Sequence, residues 1–426
     1  MKIAVLGFGR EGRSLFRFLR RDRAHRGAEL WILDRAASTV VPRGVKAQLG
    51  PRYLKNLSRF DLIFRSPGIP RSLPELQKAH RAGARLSSPT ELFFERCQAA
   101  IVGITGTKGK GTMATLLYRM LVAAKKSAVL AGNIGVPALD TLSRIRRGTI
   151  VILELSSFQL QDLRTSPHIA VVLDIFPDHQ DVHQNLREYY EAKANIARHQ
   201  RPGDIVFSFK NDAGSARIGA QSRGRKIAVD EGRFSPFGPD NLHIRGTHNF
   251  RNAVMAATVA ATLGVPKAAI LRAAKRFRGN EHRLELVRTL HAVTFYNDSA
   301  STNPQTAAAA IRSFPGAPKV LIAGGYDKGL DYAPLARALR SVRREMTAVV
   351  LFGANREKVR RAISATGVHI AAAPNLRAAV RTAFRAAKRS SPSVVLFSPG
   401  AASFDMFTSY AHRGLAFKRL ARGLTR

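Results

Sequence analysis

An apolar run that breaks onto a glycine-rich turn and continues as a helix dictates a backbone path, and this chain of 426 residues carries that pattern twice. The first copy starts one residue in. Lys2 to Leu6 reads as a strand, Gly7, Gly9 and Gly12 stand at G-x-G-x-x-G spacing, and Ser14–Leu19 continues as a helix. A second apolar run, ELWILD, ends on Asp34, 22 residues after Gly12. Strand, glycine turn, helix, strand and terminal acid form the fingerprint of a dinucleotide-binding βαβ unit, with a diphosphate at the helix start. Taken alone, this copy points to a nicotinamide cofactor.

The second copy, IVGITGTKGKGTMATLL, is the stronger signal. Here a strand enters Gly106, Thr107, Lys108, Gly109, Lys110, Gly111 and Thr112 before a helix. Glycines let backbone N–H groups converge on phosphate oxygens, the helix start adds its dipole and a lysine adds a point charge. ATP is the expected ligand. The loop departs from a strict Walker A pattern, because Ile104 stands where its first glycine belongs. Gly111 follows Lys110 where a hydroxyl would meet Mg²⁺, so Thr112 is the nearest substitute.

Apolar runs alternate with amphipathic helical segments along the whole chain, which predicts an α/β architecture with largely parallel sheets. Expected strands are Ile3–Leu6, Leu30–Leu33, Leu62–Phe64, Ala100–Ile104, Ile150–Leu155, Ile169–Leu173, Val320–Ala323, Ala348–Phe352 and Val394–Phe397. Landmarks after Cys97 and in FRGNEHRLELV divide the chain into residues 1–95, 96–282 and 283–426. The expected domains are a Rossmann-like amino-terminal domain, a central P-loop-type ATPase domain and a carboxy-terminal Rossmann-like α/β domain. The single cysteine, Cys97, excludes an internal disulfide and a thiolate metal cluster, and reads as a small buried hydrophobe. The chain has no apolar run long enough to span a bilayer and no leader-like start, so a cytoplasmic protein without membrane insertion is expected.

Charge is the unusual property: 69 Lys and Arg against 29 Asp and Glu, a formal +40. Nucleic-acid binding is one reading. The basic residues, however, are interleaved with alanine and leucine at helical spacing, as in NLRAAVRTAFRAAKRSS, which describes solvated helix faces. No nucleic-acid-binding signature accompanies them, so no specific nucleic-acid partner is expected.

Other polar groups stand at strand ends and helix starts. Glu154 closes the apolar run Ile150–Leu155, where a carboxylate serves as a metal ligand, a positioned base or one half of a salt bridge. Asp178, His179, Asp181 and His183 follow the next strand; they lack structural-zinc spacing and suit a mixed Mg²⁺ site with Glu154. His248, Asn249 and Asn252 open an alanine-rich helix, with both amides on one face. Asp298 and Thr302 lie in a polar loop as caps or ligand groups, and Lys328, Ser398, Ser403 and Phe404 lie in loops after strands.

In this order the pieces resemble the Mur ligases, the ATP-dependent amino-acid ligases of peptidoglycan synthesis, over the whole chain. VLGFGREGRS, RSPGIP and SPGAASFDMFTSYAHRG are similar to the D-glutamate-adding branch. The resemblance implies that ATP phosphorylates the carboxylate of UDP-N-acetylmuramoyl-L-alanine and that the amine of D-glutamate attacks the acyl phosphate, in an enzyme expected to be a monomer. It places Gly106 to Thr112 on the ATP phosphates, with Lys110 on the transferred group, and Asn249, Asn252, Arg283 and Asp298 on the nucleotide side. Two Mg²⁺ sites would be held by Thr112, Glu154, His179 and Lys193, the last as a carbamylated lysine. Gly9, Arg10, Glu11, Asp34, Arg35, Ser66, Pro67 and Gly68 would take the UDP-sugar, with Asn133 and Ser156 on substrate or phosphate. Thr302, Lys328, Ser398 and Phe404 would take D-glutamate.

Two positions depart from the family pattern. Ala300 replaces the lysine of its Asp-Ser-Lys-Ala-Thr-Asn loop, and Gly111 replaces a hydroxyl residue. On this reading the first glycine turn cradles a UDP-sugar diphosphate rather than NAD. A Mur-type ligase with another amino-acid specificity, such as L-alanine, an NAD-dependent oxidoreductase and a nucleic-acid-binding protein are the alternatives.

Overall fold

The computed structural model describes residues 1–176, 185–233, 237–238, 242–244 and 246–425. By compactness the chain divides into two units: Met1–Phe237 with Arg251–Ala274, and Gly238–Phe250 with Lys275–Arg426. The first unit holds two parallel sheets and the second holds one, so the alternation of the sequence yields three sheets.

The first sheet comprises β1 (Lys2–Leu6), β2 (Glu29–Asp34), β3 (Lys46–Leu49), β4 (Leu62–Arg65) and β5 (Arg85–Ser87), in the order β3-β2-β1-β4-β5. All pairings are parallel, and the helix Arg10–Leu19 crosses over from β1 to β2. The second sheet comprises β6 (Ala100–Thr105), β7 (Ala128–Gly132), β8 (Ile150–Glu154), β9 (Ile169–Val172), β10 (Ile205–Phe209) and β11 (Arg225–Val229). Its order is β11-β10-β9-β6-β8-β7, also all parallel. The central strands are apolar on both faces because helices cover both faces of such a sheet, and every residue of β9 is buried.

Arginines fasten the first sheet's elements to the second within this unit. Arg17 pairs with Asp140 at 2.8 Å, and Ser14 Oγ donates to the same carboxylate at 2.8 Å. Arg65, buried at the end of β4, donates to Asp162 and to Phe158 O.

The third sheet comprises β12 (Glu285–Leu290), β13 (Val293–Asn297), β14 (Lys319–Ala323), β15 (Met346–Leu351), β16 (Ile370–Ala372) and β17 (Ser393–Phe397). Its order is β12-β13-β17-β14-β15-β16, and only β12 runs antiparallel. The helix Leu376–Lys388 shows why helices cover it. Leu376, Ala379, Val380, Ala383, Phe384 and Ala387 face inward at helical spacing, and the arginines between them face water.

The nine expected strands are all present, each within two residues of its expected ends. Strands β3, β5 and β16 had no apolar run to announce them; they are edge strands of three or four residues with mostly half-buried or exposed side chains. Cys97 is free and half-buried rather than fully buried. Among the described residues no helix is long and apolar enough to cross a membrane.

Candidate functional site

The first glycine turn is held from inside. Gly7 N donates to Leu33 O at 2.7 Å, and Gly7 O accepts from Ser66 Oγ at 2.7 Å. A Cβ on Gly12 would lie 2.0 Å from Gly7 O, so the third glycine of the motif is required by the protein's own backbone. A Cβ on Gly9 would meet nothing within 4 Å. Asp34 is spent on the turn: Oδ2 accepts from Phe8 N at 2.6 Å and Oδ1 from Ala36 N at 2.8 Å. Arg35 and Gly68 are exposed, Pro67 half-buried. The helix Arg10–Leu19 starts at Gly9 without a side-chain cap, whereas Ser88, Asn185, Asp212, Asn303, Asn375 and Ser409 cap theirs. An uncapped first turn presents N–H groups to an anion.

Arg10 reaches from this helix to the loop after β7, donating to Gly132 O and Gly135 O, each at 3.2 Å. Glu11, on the same turn, has its carboxyl pushed up by burial, with Arg10 opposing and Asp140 adding to the rise. Asn133, in the loop that Arg10 grips, is exposed and donates its amide to Glu154 Oε1 at 3.1 Å. Glu154 itself is 4 % exposed, at the end of β8 beside β6. Ser156 forms a capping box with Gln159, so its hydroxyl serves the short helix Ser157–Leu160.

The second glycine loop follows β6 directly. Thr107 N donates to Asp174 O at 2.8 Å, and Thr107 Oγ1 meets Tyr189 Oη at 2.9 Å. Gly109 has φ +83° and begins the helix Lys110–Ala123 without a side-chain cap; a Cβ there would fall 2.3 Å from Asn252 Oδ1. Asn252 is therefore packed on the loop. Lys110 Nζ donates to Gly106 O at 2.8 Å and Thr107 O at 3.1 Å, and Thr112 sits half-buried in the first helical turn. Lys108 is exposed, 5.4 Å from the Phe176 ring. Lys193 is 2 % exposed; its Nζ donates to Gly106 O at 3.0 Å and lies 4.8 Å from the Tyr189 ring. The structure thus brings Lys110 and Lys193 to the same carbonyl. Asp178, His179, Asp181 and His183 lie outside the described residues.

Two residues here had not been singled out. Tyr189 lies four before Lys193, one helical turn away, so the spacing EYYEAK carried the signal. Arg251 pairs with Asp174 at 2.7 Å and also with Glu231, over the Phe209 ring at 4.3 Å. It anchors the strand end whose carbonyl holds Thr107.

In the second unit, Asp298 and Ser398 share a hydrogen bond, Ser398 Oγ donating to Asp298 Oδ2 at 2.7 Å. Both are buried, and burial pushes the Asp298 carboxyl up to about 6 against the pull of Ser398 and Leu284 N. Residues expected at the nucleotide and the amino acid are therefore one another's partners. Arg283 is exposed between His282 and Leu284, both at positive φ. Thr302 is half-buried beside Asn303, which caps the helix Pro304–Arg312. Lys328 and Phe404 come together, with Nζ 5.6 Å from a ring that is 61 % exposed. Asn249 is half-buried in the first turn of the helix Thr247–Thr262. Arg413, fully buried, donates to Ser299 O at 2.9 Å and Ala402 O at 3.0 Å, tying the polar loop to the segment after β17. Burial pushes its guanidinium down to about 10.

Three family models match in tandem. They are the MurD-like amino-terminal domain over residues 1–88, the Mur ligase middle domain over 104–233 and the Mur ligase glutamate ligase domain over 282–401. UDP-N-acetylmuramoylalanine–D-glutamate ligase of Symbiobacterium thermophilum is 36 % identical, covering 100 % of this chain and 98 % of its own. The ligase of the same name from Acetivibrio thermocellus is 35 % identical over 99 % and 96 %. Among solved structures, UDP-N-acetylmuramate–alanine ligase of Thermotoga maritima aligns with a TM-score of 0.60 at 19 % identity, over 99 % of both chains. Folylpolyglutamate synthase of Mycobacterium tuberculosis, solved with ADP and AMPPCP, aligns with a TM-score of 0.60 at 16 % identity, over 78 % of this chain and 94 % of its own. The tandem of models and the full-length relatives place the chain in one family: it belongs to the Mur ligases.

Proposed function

We propose that this chain is an ATP-dependent ligase that joins D-glutamate to UDP-N-acetylmuramoyl-L-alanine through an acyl phosphate. The observation that carries the chemistry is the convergence of Lys110 and buried Lys193 on Gly106 O at the head of an uncapped helix. Full-length relatives named for this reaction support the substrates.

Residues 106–112 cradle the ATP phosphates with backbone N–H groups, and Lys110 moves from the Gly106 and Thr107 carbonyls onto the transferred phosphoryl group. Asn252 buttresses the loop at Gly109. The donors fit a hard divalent cation: an oriented, buried carboxylate on Glu154 and a hydroxyl on Thr112, with no thiolate. Glu154, Thr112, His179 and a carbamylated Lys193 would hold Mg²⁺, which when bound neutralises charge on the phosphate oxygens. Carbamylation joins CO₂ to the neutral Lys193 amine with loss of one proton, turning a buried cation into an anionic oxygen donor. Gly9, Arg10, Glu11, Ser66, Pro67 and Gly68 take the UDP moiety, while Asp34 braces their turn and Arg35 lies beside it. Asn133 orients Glu154, and Ser156 stands at the following helix start. Lys328 and Phe404 offer a cation and a ring to D-glutamate, and Thr302 of the same unit is assigned to it as well. The Asp298–Ser398 pair shapes the loop that carries Thr302, and Asn249 and Arg283 are assigned to the nucleotide on the family resemblance alone.

We assign domain limits of 1–95, 96–282 and 283–426, a monomer in solution and a cytoplasmic location. The test is ADP release with UDP-N-acetylmuramoyl-L-alanine, with and without D-glutamate. Turnover that requires D-glutamate is expected. Turnover with UDP-N-acetylmuramate and L-alanine instead would overturn the assignment.

A further inference from the structure

The helices Leu376–Lys388 and Tyr410–Arg422 pack side by side and enclose a groove of 1210 Å³. Its apolar surface, the floor of the groove, comes from half-buried Phe407 and Leu420, set over the buried Val380 and Phe384, with Met406 39 % exposed at the edge. Its charged lining is wholly basic: Arg377, Arg381 and Arg385 on one wall and Arg419 on the other. The first three recur every four residues, a pitch of about 6 Å along one helix face. Among the described residues none of the four arginines is in an ion pair, although elsewhere on the molecule exposed Lys358 finds Asp327. Neither helix contains an Asp or Glu. The proposed ligation uses none of these residues.

We propose that this groove docks an acidic amphipathic helix of a partner protein. Such a helix lays apolar residues at i, i+3, i+4 and i+7 into an apolar floor, and its flanking carboxylates meet the arginine walls. A phosphate backbone would match the arginines but leave the floor without use, and a lipid surface would need a convex or flat apolar face rather than a groove. A second copy of this chain is disfavoured because each brings a formal +40. The partner is thus defined by chemistry as a foreign, acidic, helical segment about four turns long.

The test uses the full-length protein and a fluorescein-labelled peptide of about 14 residues, with Leu at i, i+3, i+4 and i+7 and Glu elsewhere. Anisotropy is followed at two salt concentrations, beside a scrambled peptide of equal composition. We expect the scrambled peptide to bind at least tenfold more weakly. Arg381→Glu with Arg385→Glu should weaken the amphipathic peptide at least tenfold, and Arg377→Gln with Arg419→Gln should weaken it in the same direction. Arg337→Glu with Arg340→Glu, on the exposed side of the helix Ala333–Ser341, should leave affinity within twofold. Ligation turnover should be unchanged in all three variants, which also verifies folding. Equal binding of the scrambled peptide, an equal loss in the control variant, or no binding at low salt would overturn the proposal. So would a tenfold loss of homopolymeric RNA or anionic-vesicle binding in the groove variants while the peptide shows no preference.

Discussion

The three glycines of the first motif do two different jobs, and substitution by alanine separates them. At Gly12 the added Cβ falls 2.0 Å from Gly7 O, more than an ångström short of ordinary contact, and 3.0 Å from Gly7 C. That carbonyl cannot retreat cheaply, since Ser66 Oγ holds it and Gly7 N is bound to Leu33 O. Forcing a methyl into such packing costs about 1–3 kcal/mol. At about 2–4 °C per kcal/mol for a unit of this size, Gly12→Ala should lower Tm by roughly 2–12 °C, with the middle of the range near 6 °C. At Gly9 the methyl meets nothing, and φ −73° suits alanine. Alanine is a poorer N-cap than glycine by about 0.5–1 kcal/mol, while reduced unfolded-state entropy returns about 0.4–1 kcal/mol, so stability should hardly change. The protein has no structural need of Gly9; only a diphosphate drawn close to the backbone would need it. Gly9→Ala should therefore leave Tm within about 2 °C and raise KM for the UDP-sugar about tenfold or more, the loss of about 1.4 kcal/mol of binding. Differential scanning fluorimetry and steady-state ADP release read the two quantities. Equal Tm losses in both variants, or an unchanged KM in Gly9→Ala, would refute the division of labour.

Three further outcomes follow from the same structure. Lys110→Met should cut turnover by about 10²–10³, as loss of a donor to a developing charge does, with little change in Tm; a KM effect alone would contradict its placement on the transferred group. Lys193→Ala should nearly abolish turnover and be partly rescued by acetate or formate, and a folded variant without rescue would count against a carbamate there. Glu91, buried and with one carboxylate oxygen lacking a partner among the described residues, has its carboxyl pushed up to about 7 by burial. A raised carboxyl means the folded state keeps a proton that the unfolded chain releases. Stability is then lost as pH rises from about 4.5 through 7. Glu91→Gln should match the parent near pH 4.5 and exceed it by about 2–3 kcal/mol at pH 8 in urea unfolding; no difference between the two pH values would refute it.

Much of this was legible in the residues because parallel sheets need strands that are apolar on both faces, and most such strands announce themselves, although the interior strand β10, with β7 and β11, was not among those expected. Strands β6, β9 and β17 could be read directly, and so could the glycine loops between strand and helix. The edge strands β3, β5 and β16 could not, because half-exposed backbone pairing needs no apolar run. At the site, Lys110, Glu154 and Asn252 were picked out from residue type and position, and Lys193 only through the family resemblance; Lys110 and Lys193 meet at Gly106 O, Glu154 accepts from Asn133, and Asn252 packs on Gly109. Asp34 was legible as a residue but not in its role, since the acid that a cofactor would meet instead binds Phe8 N. Asp298 and Ser398, a hundred residues apart, are joined by sheet pairing of β13 with β17, which no local pattern records.

Arg10 holds the loop after β7, and that loop's Asn133 holds Glu154. The residue that follows the first glycine turn is thus linked by two side chains to the acid at the end of β8. A substrate gripped at its diphosphate end would then be measured from a fixed datum, and its reactive carboxylate would arrive at the phosphate loop only if the intervening sugar and lactyl-alanine had the correct span. Selectivity for the nucleotide precursor would in that case be a matter of length as much as of recognition, with Arg10 serving as the gauge's fixed jaw.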